Sequence, residues 1–287
     1  MVSLGHFIRK VIMFMSKFLA FCLTVLPLLL GAADVLTVFD RSNGASQLQQ
    51  LLGSVWKNKA LKLPENLEIE VKNVSGNDLP RLEKNQLIIE EAFAPVQDLD
   101  RYTLCNYAIV PVIVAVPANS PVDDLSFEQL KRIYSGVTNN WKLLGAPEKS
   151  LRIAGCKSDS AQTRIFRKLV MQQDLWSNAP AGVDNLILPD MLICSARGAA
   201  NLLEAVDGLI VFGSLELLRN NSGKYRLVKI NGVAPSMENI VSGRYPLSAC
   251  YRIRCLKTAS PVQVQAVAEF LRRAAADNGE MLVCKQK

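Results

Sequence analysis

The apolar positions of this chain alternate between strand-like and helix-like spacing. "VLTVFD", Val35–Asp40, reads as a buried strand, and the polar turn "RSNGAS" follows it. Leu48, Leu51, Leu52, Val55 and Trp56 then recur at helical spacing on one face, which predicts an amphipathic helix. "LEIEVKNV", Leu67–Val74, alternates like a half-buried strand, and "QLIIEEAF", Gln86–Phe93, is a further strand candidate. Strand, helix and strand in succession predict α/β organisation with a largely parallel sheet.

"YAIVPVIVAVP", Tyr107–Pro117, is longer than one ordinary strand needs, and Pro111 argues against a central ladder position. The segment is read as a strand that leaves one lobe and enters another. A well-marked helix follows: Ser126 and Gln129 have capping-box spacing, Leu125 and Leu130 form a hydrophobic staple, and Gly136 supplies the stop. "GLIVF", "YRLVKING" and "SACYRIRCL" are later strand candidates, the last able to return to the first lobe. In the closing helix Ser260 is the cap and Pro261 the first residue, with Val264, Val267, Leu271 and Ala274 on one face. There is no internal repeat and no Gly/Ser linker, so two lobes would interleave in sequence.

The N-terminus has a different pattern. Arg9, Lys10 and Lys17 precede the apolar run Phe18–Leu30, and Gly31, Ala32 and Ala33 follow. This is the pattern of a secretory signal peptide over residues 1–33, with cleavage after Ala33. The run of about 13 residues is short against the roughly 20 of a spanning helix, so no stable membrane span is expected after cleavage. Removing the segment takes away three basic residues and no acidic ones, which lowers the formal net charge from +7 to +4. That mild, dispersed charge, with no basic run interleaved with aromatics, argues against a nucleic-acid partner.

Two residue types narrow the chemistry. The one histidine, His6, lies in the signal, so the mature chain has no Ser-His-Asp triad, Cys-His dyad or histidine metal site. No cofactor and no enzymatic activity are expected. Six cysteines remain: Cys105, Cys156, Cys194, Cys250, Cys255 and Cys284. An exported chain permits disulfides, and the even count fits either bridging or buried thiols. Cys250 and Cys255 lie five apart in a strand, on opposite faces, and are not a metal pair.

In "LRIAGCKSDSAQTRIFRKLVM", Leu151–Met171, an apolar run breaks into small polar residues before an amphipathic helix. Such a loop can cradle an oxyanion with backbone N–H groups, or it can simply let Asp159 or Ser160 cap the helix of Ile165, Phe166, Leu169 and Val170.

Several segments resemble the PstS-like phosphate-binding proteins of ABC transporters. In Tyr107–Gly145, Leu125, Gln129, Leu130, Ile133, Gly136 and Trp141 fit the family pattern. "GLIVFGSLEL" is similar to its "G-x-I-G-Y" strand, and "INGVAPSMENIVSGRYPL" to its "N-G-x-x-P" segment. The match covers most of residues 105–275 in order. The resemblance implies a type 2 periplasmic-binding-protein fold: two α/β lobes joined by two hinge-crossing strands, with a ligand between them. Lobe 1 would hold residues 34–112 and 249–287, and lobe 2 residues 113–248. It also implies an oxyanion site. The family loop "R-x-x-x-S-G-T" places Ser160 on the family serine, but Cys156, Ala161 and Gln162 replace arginine, glycine and threonine. Thr163 adjoins the loop, and Lys157 or Arg164 could stand in for the missing arginine. Asn43, Gly44, Ala45 and Ser46 would form a second cradle, and Glu90 or Glu91, with Glu91 preferred, would be the family's acidic acceptor; a plain N-cap and solvated strand-end charges are the simpler readings of those two.

The implied function is an exported, periplasmic or secreted solute-binding protein for a small oxyanion, phosphate first, delivering it to an ABC permease or a sensor. The alternative is a divergent envelope or interaction protein that kept the fold and lost phosphate or took another ligand. A phosphatase with Ser160 as nucleophile ranks last, because no base is identifiable near it in sequence.

Overall fold

The computed structural model describes residues 34–40, 67–74, 81–93, 99–158, 160–172, 191–278 and 281–284. The signal segment, the Leu48–Trp56 helix and Asp159 lie outside the described residues.

Two sheets organise the chain. The first has six strands: β1 (Asp34–Asp40), β2 (Leu67–Asn73), β3 (Gln86–Glu91), β4 (Tyr102–Pro111), β12 (Ser248–Leu256) and β13 (Leu282–Val283), in the order β13-β4-β12-β3-β1-β2. The second runs β10-β5-β9-β7-β8, built from β5 (Ile113–Pro117), β7 (Arg152–Gly155), β8 (Leu192–Ile193), β9 (Leu209–Gly213) and β10 (Tyr225–Leu227). A two-stranded ribbon pairs β6 (Asp124–Leu125) with β11 (Lys229–Ile230). The described helices are α1 (Phe127–Tyr134), α2 (Ala161–Leu169), α3 (Ala196–Ala205), α4 (Glu216–Arg219), α5 (Met237–Val241) and α6 (Pro261–Asn278).

The expectation of a largely parallel sheet is only half met. β1, β2 and β3 are parallel, as are β7, β8 and β9, but β12 is antiparallel to both β3 and β4, and β5 is antiparallel to β9. The reason is the crossing between sheets. A chain that leaves the first sheet at the end of β4 re-enters it at that same edge, so the returning strand must run the other way.

The crossing points are adjacent. β4 ends at Pro111 and β5 begins at Ile113, and the return passes from Leu247 into β12. Val112 N donates to Leu247 O at 2.9 Å, and the buried Tyr245 hydroxyl donates to Val112 O at 2.9 Å. Pro111 therefore does not keep the segment out of the sheet interior. It occupies the last position of β4, opposite Ser248, where a missing N–H is tolerated.

The residues that carry the family resemblance support the second sheet. Ser126 and Gln129 make the reciprocal capping box, and Leu125, Leu130 and Ile133 are buried. Trp141 Nε1 donates to Gly208 O at 2.8 Å, tying the 3₁₀ turn Trp141–Leu144 to the start of β9. Asn231 and Gly232 have φ of 50° and 79°, the pair of left-handed positions that an Asn-Gly turn supplies.

None of the six described cysteines is joined in a disulfide, which corrects the bridging alternative. Several thiols instead point at backbone carbonyls: Cys156 toward Phe212 O at 3.8 Å and Cys194 toward Gly155 O at 3.5 Å.

α2 is seated on an aromatic cluster. Phe166 stacks on Phe212 with centroids 4.4 Å apart, and Tyr134 meets Phe166 edge-on at 4.7 Å while its hydroxyl donates to Ala154 O at 3.0 Å. Gly155 allows this close approach, because a Cβ there would lie 2.5 Å from the Phe212 ring. Gly155→Ala is expected to destabilise the protein by about 1–3 kcal/mol through overpacking, measured by urea unfolding. An unchanged midpoint would mean that Phe212 repacks freely.

Candidate functional site

The carboxyl ends of β1 and β3 converge on a buried ionisable cluster. Asp40 is the last residue of β1 and Glu91 the last of β3, and both are buried. Tyr251 of β12 is the register partner of Glu91, so the two side chains share a face of the sheet. Tyr107 of β4 meets Tyr251 edge-on, with ring centroids 6.2 Å apart. The β4–β12 register shifts between Tyr251 and Arg252, leaving Tyr107 as the extra residue of a bulge that re-aims it.

The helix that follows β7 of the second sheet brings Arg164 to this cluster. β7 ends at Gly155, and Ser160 caps α2 by accepting from Thr163 N at 3.1 Å. The Ser160 hydroxyl donates to Thr163 Oγ1 at 3.0 Å, which donates to Cys156 O at 3.1 Å. Arg164 leaves the first turn of α2 toward the first sheet. Its Nε donates to Glu91 Oε1 at 3.1 Å and its Nη2 to the same oxygen at 2.6 Å. Nη2 also donates to the Tyr251 hydroxyl at 3.1 Å, which donates in turn to Glu91 Oε1 at 2.5 Å. One carboxylate oxygen thus takes three donors. The other, Oε2, is buried without a hydrogen-bond partner.

The pair is desolvated, with side-chain exposures of 11% for Arg164 and 1% for Glu91. Burial pushes the Glu91 carboxyl above its ordinary value; Arg164 and Tyr251 pull it back, and Asp40 adds to the rise. The net direction is upward, because burial outweighs the pull of Arg164 and Tyr251. Burial opposes the charge on Arg164, yet Glu91 and Tyr251 outweigh it and the guanidinium is held charged. Burial, then the fields of Asp40 and Glu91, keeps the Tyr107 phenol protonated.

Of the residues singled out in the sequence, Glu91 and Arg164 meet each other. Ser160 lies one turn before Arg164 and Thr163 immediately before it, with their hydroxyls engaged in the cap. Ala161 and Gln162 are buried in that turn. Asn43, Gly44, Ala45 and Ser46 lie outside the described residues. Sequence reasoning missed Tyr251, Tyr107 and Asp40. Asp40 had a usable signal, an acid closing the apolar run "VLTVF", whereas Tyr251 becomes significant only through its register with Glu91.

Chemically, the arrangement is a charged donor and an acid held between two sheets. The Ser160 hydroxyl donates its hydrogen bond to Thr163 Oγ1, a capping geometry rather than a nucleophile–base pair. No group of three or more metal-ligating side chains occurs among the described residues. A separate cavity of about 190 Å³, lined by Pro117, Trp141, Lys149 and Asp207, lies at the amino end of β9, away from the cluster.

The comparisons with known proteins bear on this arrangement. A family model described as a PBP superfamily domain matches residues 99–275, more than half of the chain. The phosphate-binding protein PstS of Bacillus subtilis (strain 168) is 24% identical over 215 residues, covering 72% of this chain and 66% of its own length, slightly under two thirds. Among solved structures, PstS from Borrelia burgdorferi superposes with a TM-score of 0.63 at 12% identity, over 88% of this chain and 99% of that one. An ABC-type phosphate transport receptor from Vibrio cholerae gives 0.63 at 16% identity, over 88% and 100%. These structural likenesses carry the fold: two lobes, each built on one of the two sheets. The chain belongs to the PBP superfamily, as a divergent PstS-like member with the two-lobed type 2 fold.

Proposed function

We propose that this protein is an exported solute-binding protein for a small oxyanion, phosphate first among them, working in uptake or sensing without covalent chemistry. The observation that carries the reading is Arg164. A guanidinium in the first turn of α2 reaches across to the strand carboxyl ends of the other sheet, where open α/β folds take their ligands. Its planar fork suits bidentate oxyanion recognition and replaces the arginine lost at Cys156. In this reading lobe 1 comprises residues 34–112 and 249–287, and lobe 2 residues 113–248. Asn43, Gly44, Ala45 and Ser46, with Ser160, Ala161, Gln162, Thr163 and Arg164, are the residues assigned to the oxyanion, and Glu91 is the acid of the site. Residues 1–33 are a signal peptide cleaved after Ala33, the mature protein is periplasmic or secreted, and an ABC permease is the partner that takes the ligand. None of the described helices is long and apolar enough to cross a membrane.

A second reading is favoured by one observation. The hydroxyls of Ser160 and Thr163 and the guanidinium of Arg164 all have partners within the chain. A protein that kept the fold and lost phosphate would look like this, and would serve as an envelope or interaction protein.

Thermal unfolding separates the two. Millimolar phosphate is expected to raise the melting temperature of ligand-stripped protein, with stabilisation approaching about 4 kcal/mol at a thousandfold excess over Kd. Arg164→Ala should lose that shift while circular dichroism shows the fold retained. No shift with phosphate, and no heat of binding by calorimetry, would move the assignment to the second reading. For export, intact-mass measurement on protein from the producing cell should find a mature chain beginning near Asp34; a chain retaining residues 1–33 would overturn the signal-peptide assignment.

A further inference from the structure

The Arg164–Glu91 pair has an unusual distribution of hydrogen bonds. Three donors, from Arg164 Nε, Arg164 Nη2 and the Tyr251 hydroxyl, crowd onto Glu91 Oε1. Oε2 of the same carboxylate is buried with no hydrogen-bond partner. A bidentate Arg–carboxylate pair, the geometry a guanidinium fork favours, would use both oxygens. Here the arginine holds the carboxylate by one corner, so an oxyanion offering two or three oxygens can satisfy the same donors better. Among the described residues, the groups facing Glu91 are Arg164 from α2, Tyr251 from β12, Asp40 from β1 and Tyr107 from β4. They comprise one cation, one further carboxylate and two phenols. An anion that draws Arg164 away leaves Glu91 beside Asp40 without that guanidinium.

We propose that Glu91 is a resident counter-anion: its carboxylate holds Arg164 where an incoming oxyanion would take it, and anion binding is coupled to the uptake of one proton from solvent by Glu91. This rests on the solute-binding reading above and assigns Glu91 a role in it opposite to that of a ligand acceptor. When Arg164 turns to the ligand, Glu91 loses its cation and gains an anionic neighbour. Both changes favour the protonated carboxyl, in the same direction in which burial and Asp40 already push it. The neutral acid then has an O–H with which to approach the ligand or Tyr251. By linkage, affinity rises as pH falls, by up to about tenfold per pH unit for one proton. At high pH the protein is closed on its own carboxylate.

Titration calorimetry with sulfate and with inorganic phosphate, at about pH 5.5 and about pH 8, tests this on wild type and on Glu91→Gln. Sulfate keeps its charge across that range, so any proton uptake belongs to the protein. The wild type should tighten at least about tenfold for sulfate from the higher to the lower pH. E91Q should bind both anions at least about tenfold tighter than wild type at pH 8, with its sulfate affinity nearly independent of pH. Binding seen only in E91Q is the extreme form of the same result. E91Q binding as weakly as wild type, or more weakly, while wild type binds, overturns the inference and leaves the solute-binding reading standing. Absence of anion binding by wild type and variant alike overturns both. Should E91Q not fold, Tyr251→Phe removes one donor from the carboxylate and is expected to tighten phosphate several-fold; an unchanged or weaker affinity overturns the proposal.

Discussion

A buried ion pair between Arg164 of α2 and Glu91 of β3 ties the helix that follows β7 to the first sheet. Arg164 comes from helix α2 and Glu91 from the first sheet, at positions 73 residues apart in sequence. Breaking such a pair by removing one member costs about 3–5 kcal/mol, because the partner is left charged and buried. That penalty explains why the surrounding structure is so fully specified. The aromatic cluster of Tyr134, Phe166 and Phe212 fixes the seat of α2, and the Ser160 cap fixes its first turn. The β3–β12 register brings Tyr251 beside the carboxylate. Without these constraints the guanidinium and the carboxylate would each find water instead.

A second charged group shows the contrast. Glu90 lies on the other face of β3, and it takes Arg252 Nε on Oε1 at 2.8 Å and Arg254 Nη2 on Oε2 at 3.2 Å. Both of its oxygens are engaged, and both arginines come from the neighbouring strand of the same sheet. That cluster braces one sheet internally. Glu91, one residue later and on the opposite face, meets Arg164 of α2 through a single oxygen. The alternation of a strand separates a structural acid from an exchangeable one.

The alternation of short strands with capped helices made the α/β class legible, and the capping residues Ser126, Gln129 and Ser160 behave as their local chemistry dictates. Local signals of this kind survive folding because their partners lie within a turn. The sheet's mixed polarity was not legible, since the direction of β12 depends on where the chain re-enters the first sheet. In the site, Glu91 and Arg164 were named from their residue types and positions, but not their pairing. Ionic partners from different sheets leave no periodicity in sequence. Ser160 and Thr163 show the converse: a hydroxyl near a helix start serves a cap as readily as a ligand, and the composition of the loop is the same in both cases.

The paired crossings between the sheets set the mechanics of the whole molecule. Val112 and Leu247 pass side by side, joined by a hydrogen bond and pinned by the Tyr245 hydroxyl. Two strips fastened edge to edge behave as a leaf spring rather than a ball joint. They flex about one axis, and they resist shear and twist, since sliding one strip past the other would break the bond between them and the Pro111–Ser248 register. Relative motion of the two sheets is thereby reduced to a single angle.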